Sequence, residues 1–141
     1  MNGIPYRSRN DDPPPAPGLL LKIWYKASHE CGAQIDTGAS ITCVPEAVLH
    51  SIGAPCGTSP VTVVGYDGIP NDLAIYRVNV GVVEANWPAD VASEFIEMEV
   101  LAIPPVTQGD DDAAEVLIGR DLLRNWTLLL EGPHDMLHVQ T

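Results

Sequence analysis

Positive charge is scarce in this 141-residue chain: seven Lys and Arg stand against nineteen Asp and Glu, a formal charge of −12. The seven are scattered without a basic cluster, which argues against a nucleic-acid partner. Acidity of this degree keeps a protein soluble, and a cationic or neutral partner suits it better. Long apolar runs are also missing. None reaches the ~18 residues that span a bilayer, so no membrane partner is expected. No basic segment followed by an apolar core opens the sequence, so no secretory leader is read and cytoplasmic residence is expected. Cysteine is sparse. Cys31, Cys43 and Cys56 are odd in number and none has C-x-x-C spacing, which suggests neither a disulfide framework nor a zinc site. No H-E-x-x-H is present. His29, Glu30 and Cys31 are adjacent strand residues that point to alternate faces. Asp110-Asp111-Asp112 lacks the alternating ligand spacing of a calcium loop. No metal and no cofactor are therefore expected. Nucleophilic hydrolysis is poorly supported too, since Ser40 is not in a G-x-S-x-G setting and Cys43 has no His close in sequence.

What is present is enough apolar content, 45%, for one packed domain. Residues 1–18 read as a flexible, Pro-rich tail, because Asn10 to Gly18 is poor in ladder donors and apolar area and favours an extended polyproline-like form. Residues 19–141 read as the folded domain. Strands are expected at Leu19 to Tyr25 and Cys31 to Ile35, around a polar turn of residues 26–30. A short helix is expected from Pro45 to a stop at Gly53. A hairpin follows across Val61 to Pro70, with turn chemistry at Gly65, Asp67 and Gly68. Further strands are read at Leu73 to Val83, Phe95 to Ile103 and Val116 to Ile118. A short helix at Arg120 to Trp126 and a terminal hairpin, Thr127 to Glu131 with Met136 to Gln140, close the chain. Asn125-Trp126-Thr127 fits a glycosylation pattern, read here as accidental.

The stretch that organises the rest is Ala33-Gln34-Ile35-Asp36-Thr37-Gly38-Ala39-Ser40-Ile41-Thr42-Cys43-Val44-Pro45. Apolar residues approach a tight Asp-Thr-Gly turn and lead away from it, so an acid is presented at the end of a β element. Downstream stands Val116-Leu117-Ile118-Gly119-Arg120-Asp121-Leu122-Leu123. The two motifs, in this order, resemble the catalytic loop and the second conserved segment of retropepsin-like aspartic proteases. The terminal hairpin looks more like the cellular and bacterial members than the viral ones.

That resemblance implies an all-β, retropepsin-like acid protease barrel with one or two short helices. It implies an aspartic endopeptidase with Asp36 as the catalytic residue and Thr37, Gly38, Ala39 and Ser40 supporting it. Val64, Gly65, Tyr66, Asp67, Gly68 and Ile69 would form a flap over an extended polypeptide substrate. Gly119, Arg120 and Asp121 would support the catalytic loop from behind. Carboxylate chemistry on a peptide bond needs two acids, one ionised to draw a proton from water and one protonated to polarise the carbonyl. The chain has a single Asp-Thr-Gly, so a homodimer is implied, with two Asp36 side chains meeting on the symmetry axis. A shared proton then makes assembly favoured at acid pH. Viral members often carry an acid two residues after the catalytic Gly to hold the Arg of the second motif. Here Ser40 stands there, so another acid or backbone carbonyls must satisfy Arg120. The rival reading is a non-catalytic retropepsin-like module for dimerisation or peptide binding.

Overall fold

The computed structural model describes residues 4–5, 7–9, 12–64, 68–83, 95–104 and 116–140. Its elements run β1 (Ile4–Pro5), β2 (Arg7–Arg9), β3 (Asp12–Ala16), β4 (Gly18–Trp24), β5 (Ser28–Ile35), β6 (Cys43–Pro45), α1 (Glu46–Ser51), β7 (Val61–Val64), β8 (Pro70–Leu73), β9 (Ile75–Val82), β10 (Ile96–Ile103), β11 (Val116–Ile118), α2 (Arg120–Leu123), β12 (Thr127–Glu131) and β13 (Met136–Gln140). A single 3-10 turn, Gly132–His134, joins the last two strands. The all-β architecture expected, with one or two short helices, is what the chain adopts; two short helices stand among the described residues.

Six strands, in the order β10-β6-β11-β5-β4-β9, close into a barrel. Closure pairs every strand on both sides and removes the edges on which other chains would add. The core follows from period-two alternation. In β4, Leu19, Leu21 and Ile23 are fully buried while Lys22 and Trp24 between and beyond them face outward. In β9, Tyr76, Val78 and Val80 do the same, and Val116 and Ile118 fill the floor from β11. Helix α1 begins after Pro45, carries Glu46 in its first turn and stops at Gly53, whose φ of +69° suits glycine. It seals one end of the core with Leu49 and Ile52.

Several boundaries differ from the sequence reading; helix α2, for one, ends at Leu123 rather than Trp126. The turn between β4 and β5 is shorter, residues 25–27, and β5 starts at Ser28. The amide of Lys26 donates to the Ile52 carbonyl, at 2.9 Å, which sets the tighter turn. The segment read as a tail contains paired strands. Ile4 pairs with Leu137 and Pro5 with Met136, and Ile4 is buried. Strands β2 and β3 pair through Arg7 with Ala16 and Arg9 with Asp12, with a register shift between. Ala16 and Asp12 keep the amide that the intervening prolines lack, which is how a Pro-rich run can enter a ladder. The triple Asp of residues 110–112 and the turn residues Gly65, Tyr66 and Asp67 lie outside the described residues.

One topological feature positions the site. β5 and β11 run parallel with Ile35 opposite Ile118. Both strands therefore end at the same place, and the segments that follow, Asp36 onward and Gly119 onward, leave the barrel side by side.

Candidate active site

Asp36 follows the last residue of β5 and is half-buried. Its amide donates to the carbonyl of Ile118 at 3.0 Å, and its own carbonyl accepts the amide of Ala39 at 3.1 Å, closing a turn. Within that turn the amide of Gly38 donates to Asp36 Oδ1 at 3.0 Å. A Cβ on Gly38 would stand 3.2 Å from the same oxygen, tighter than ordinary contact. Among the described residues no hydrogen bond reaches Oδ2. The carboxylate is thus fixed through one oxygen and free at the other. Thr37, Gly38 and Ser40 are exposed around it.

The second segment holds the loop from behind. The amide of Arg120 donates to the Ala39 carbonyl at 2.9 Å. Its Nη1 donates to the Thr37 carbonyl, also at 2.9 Å. A backbone carbonyl therefore satisfies Arg120, and because the side chain is exposed no cost of burying a charge arises. Asp121 reaches furthest. Its carboxylate accepts the amide of Thr42 at 3.0 and 3.1 Å, the Thr42 hydroxyl at 2.7 Å, and the amide of Leu122 at 2.8 Å. The Thr42 hydroxyl in turn accepts the Gly119 amide at 3.1 Å. The Thr42 carbonyl accepts the Leu101 amide at 3.0 Å. Thr42 is fully buried, and each of its polar atoms is used.

Gly119 lies in the middle of this arrangement. A Cβ there would be 2.6 Å from Ile41 C, 2.8 Å from Ile41 O and 2.8 Å from Thr42 N. All three are backbone atoms, so nothing flexible could move aside. The structure thus brings Gly119, Arg120 and Asp121 against the Asp36 loop. Thr42 was missed. Its signal is a lone hydroxyl between Ile41 and Cys43-Val44, in a run that is otherwise apolar.

Cys43 stands next to this network. Burial, reinforced by the negative charges of Asp121 and Asp36, pushes its thiol above the ordinary range. Its Sγ donates to the Ile41 carbonyl at 3.5 Å. A thiol held neutral in this way is not an activated nucleophile. All three cysteines are free, and no group of three potential ligands that could hold a metal occurs among the described residues.

The hairpin of β7 and β8 forms its own two-stranded sheet, pairing Val61 with Leu73 through Val64 with Pro70. Val64 and Ile69 leave 63% and 57% of their surface in solvent near its tip, a large apolar exposure for such short strands. Gly68 has φ +71° and open space around it. Its neighbours Gly65, Tyr66 and Asp67 lie outside the described residues.

The closed barrel with these two adjoining segments at one end defines the retropepsin-like acid protease fold. Among solved structures the chain resembles EIAV protease complexed with the inhibitor HBY-793, at 16% identity and a TM-score of 0.53, over 84% of this chain and 92% of that one. It also aligns with the retroviral protease-like domain of Ddi1 from Leishmania major, at 17% identity and a TM-score of 0.49, over 88% of this chain and 89% of that one. No family model matches the sequence, and no curated protein does. The likeness at such identities is one of fold. No helix among the described residues is long and apolar enough to cross a membrane.

Proposed function

We infer that this protein is an aspartic endopeptidase that works as a homodimer. The observation that carries the reading is the Asp36 carboxylate itself. It sits on a turn anchored at Ile118, Arg120 and Asp121, with one oxygen held by the Gly38 amide and the other free to meet a partner. One such acid cannot both accept and donate a proton in the same step. A second copy related by a two-fold axis would supply the other. One ionised Asp36 then draws a proton from water as it attacks the scissile carbonyl, and its protonated twin donates to the carbonyl oxygen. The tetrahedral intermediate collapses as the leaving amine takes up a proton. No covalent intermediate with the enzyme forms.

Each remaining part has a role in this scheme. Thr37 and Gly38 stand at the face where two loops would meet. The β7–β8 hairpin acts as a flap, with Val64 and Ile69 covering an extended peptide and excluding water. An extended substrate would be held mainly by main-chain hydrogen bonds. Gly119, Arg120 and Asp121 act indirectly, by positioning the loop that bears Asp36.

The test is Asp36→Asn. Cleavage of a peptide library should fall by at least ~1,000-fold, the scale of a lost general base, with the circular dichroism spectrum unchanged. A statine-type transition-state mimic should bind wild type and not the variant. Retained cleavage in the variant overturns the assignment. A non-catalytic module would instead show no cleavage in either protein and no affinity for the mimic.

A further inference from the structure

The far end of the β4–β5 hairpin carries a second feature. An open hollow of about 440 Å³ is lined by Lys22, Trp24, Lys26, Ala27, Ser28 and Phe95. Counting along β5 from Ser28 at ~3.3 Å per residue puts it ~26 Å from Asp36, at the opposite end of the strand. It takes no part in the chemistry above.

Two observations set it apart from an ordinary surface dip. First, its charge is reversed relative to the rest of the molecule. The chain has only two lysines, and both line this hollow in a protein of formal charge −12. Neither makes an ion pair among the described residues, although Glu30 stands opposite Lys22 in the ladder. Lys26 is also placed. Its methylenes lie on Gly53, within 3.1 to 3.4 Å of where a Cβ would be, so a side chain there would push the stem aside by a few tenths of an ångström. Second, its wall is aromatic. Trp24 and Phe95 meet edge to face, with centroids 5.9 Å apart and planes at 86°, and each leaves more than a third of its surface in water.

We propose that this hollow is a binding pocket for the C-terminal residue of a polypeptide, with an apolar side chain against Trp24 and Phe95 and the terminal carboxylate between Lys22 and Lys26. The charge selects a monoanion. Two ammonium groups without an ion pair among the described residues attract one carboxylate, while the surrounding −12 repels anything highly anionic. The volume suits one or two residues with an apolar body and a polar handle. Along Leu21–Trp24 strand β4 is paired with β5 on one side and β9 on the other, so its own backbone offers no edge for strand addition. Recognition there is by side chains, and the two ammonium groups favour a chain end. A free amino acid fits poorly, because its own ammonium would face the two lysines. An acylated amine, as in a peptide, would not. The openness of the hollow leaves room for the rest of that chain to continue into solvent.

The experiment titrates isotope-labelled protein with N-acetyl-Leu-Phe as the free acid, as its C-terminal amide, and with unacetylated phenylalanine. Chemical shifts of Trp24, Ser28 and Phe95 are followed by NMR. The acid should saturate these resonances at about millimolar concentration. The amide and the free amino acid should bind about five- to ten-fold more weakly, the worth of two solvent-exposed ion pairs. Raising salt from ~20 to ~200 mM should weaken only the acid. The K22Q/K26Q double variant should erase the preference of acid over amide and leave the amide's weak binding intact. Both lysines are at the surface, so the variant should fold, and its spectrum shows whether it has. Equal binding of acid and amide, a preference that survives in K22Q/K26Q, or tighter binding of free phenylalanine would each overturn the proposal. None of these outcomes bears on Asp36, and Asp36→Asn should bind the acid like wild type.

Discussion

The Asp36 loop and the β7–β8 hairpin are both connections between barrel strands, yet they are held in opposite ways. The loop is tied by backbone and side-chain hydrogen bonds from a segment some eighty residues away in sequence, with the buried Thr42 at their centre. The hairpin relies on its own four ladder pairs and on exposed bonds such as the Thr62 hydroxyl to Asp72 at 2.6 Å. What the contrast teaches is a division of labour. If two copies of Asp36 form one centre, each carboxylate has to be placed within a fraction of an ångström, and buried, over-determined support provides that. If the hairpin admits and releases a chain it must move, and bonds that face water allow that.

Glycine gives the largest expected difference between the two regions. Gly119→Ala forces a methyl into the backbone of Ile41 and Thr42 and should cost ~3 kcal/mol or more, enough to prevent folding. Gly68→Ala meets no neighbour and suffers only from its positive φ, at about 1 kcal/mol. Thermal melts of the two variants measure this, and equal destabilisation would remove the distinction.

The carboxylates come next. Asp121→Ala leaves the amide and hydroxyl of fully buried Thr42 unsatisfied and should cost ~3 kcal/mol. Asp72→Ala removes an exposed bond and should stay within ~0.5 kcal/mol. Denaturant midpoints compare them directly. A smaller effect, visible only in function, is expected at the hairpin tip. V64S/I69S should leave stability unchanged within ~0.5 kcal/mol. If the hairpin is a flap, the same change should lower kcat/KM by about ten-fold, from lost apolar cover.

How much of this was legible in sequence follows the same contrast. The strands were readable because burial alternates along β4 and much of β9, and β10 alternates acidic and apolar residues before a continuous apolar run. What a linear pattern does not carry is the partner of a polar side chain. Asp121 could be named as support, but its grip on Thr42 spans 79 positions. Arg120 was expected to need a compensating group, and a carbonyl at Thr37 provides it. The pairing of Ile4 with Leu137 escaped notice because a Pro-rich run argues locally against strands, while the packing of Ile4 into the core decides otherwise.

The smallest effect separates wall from loop by their thiols. Cys31, in the barrel wall, is pushed up to about 11 by burial from an ordinary 9.0. Cys56 is exposed. At neutral pH iodoacetamide should label Cys56 readily and Cys31 about 100-fold more slowly than an unshifted thiol, the effect of two pH units on thiolate supply. The sign for stability follows. The folded state holds the Cys31 proton more tightly than the unfolded one. Stability should therefore be intact below pH 9.0 and decline as pH rises towards about 11, an effect that Cys31→Ala removes.

The central claim is that two copies of Asp36 form one catalytic centre. It is tested most directly by mixing wild type with Asp36→Asn at constant total protein, after equilibration at acid pH, and measuring peptide cleavage. A mixed dimer would carry a single carboxylate, so activity should fall as the square of the wild-type fraction. A linear fall would mean that each chain acts alone, and cleavage that persists in the pure variant would mean that Asp36 is not the acid that does the work.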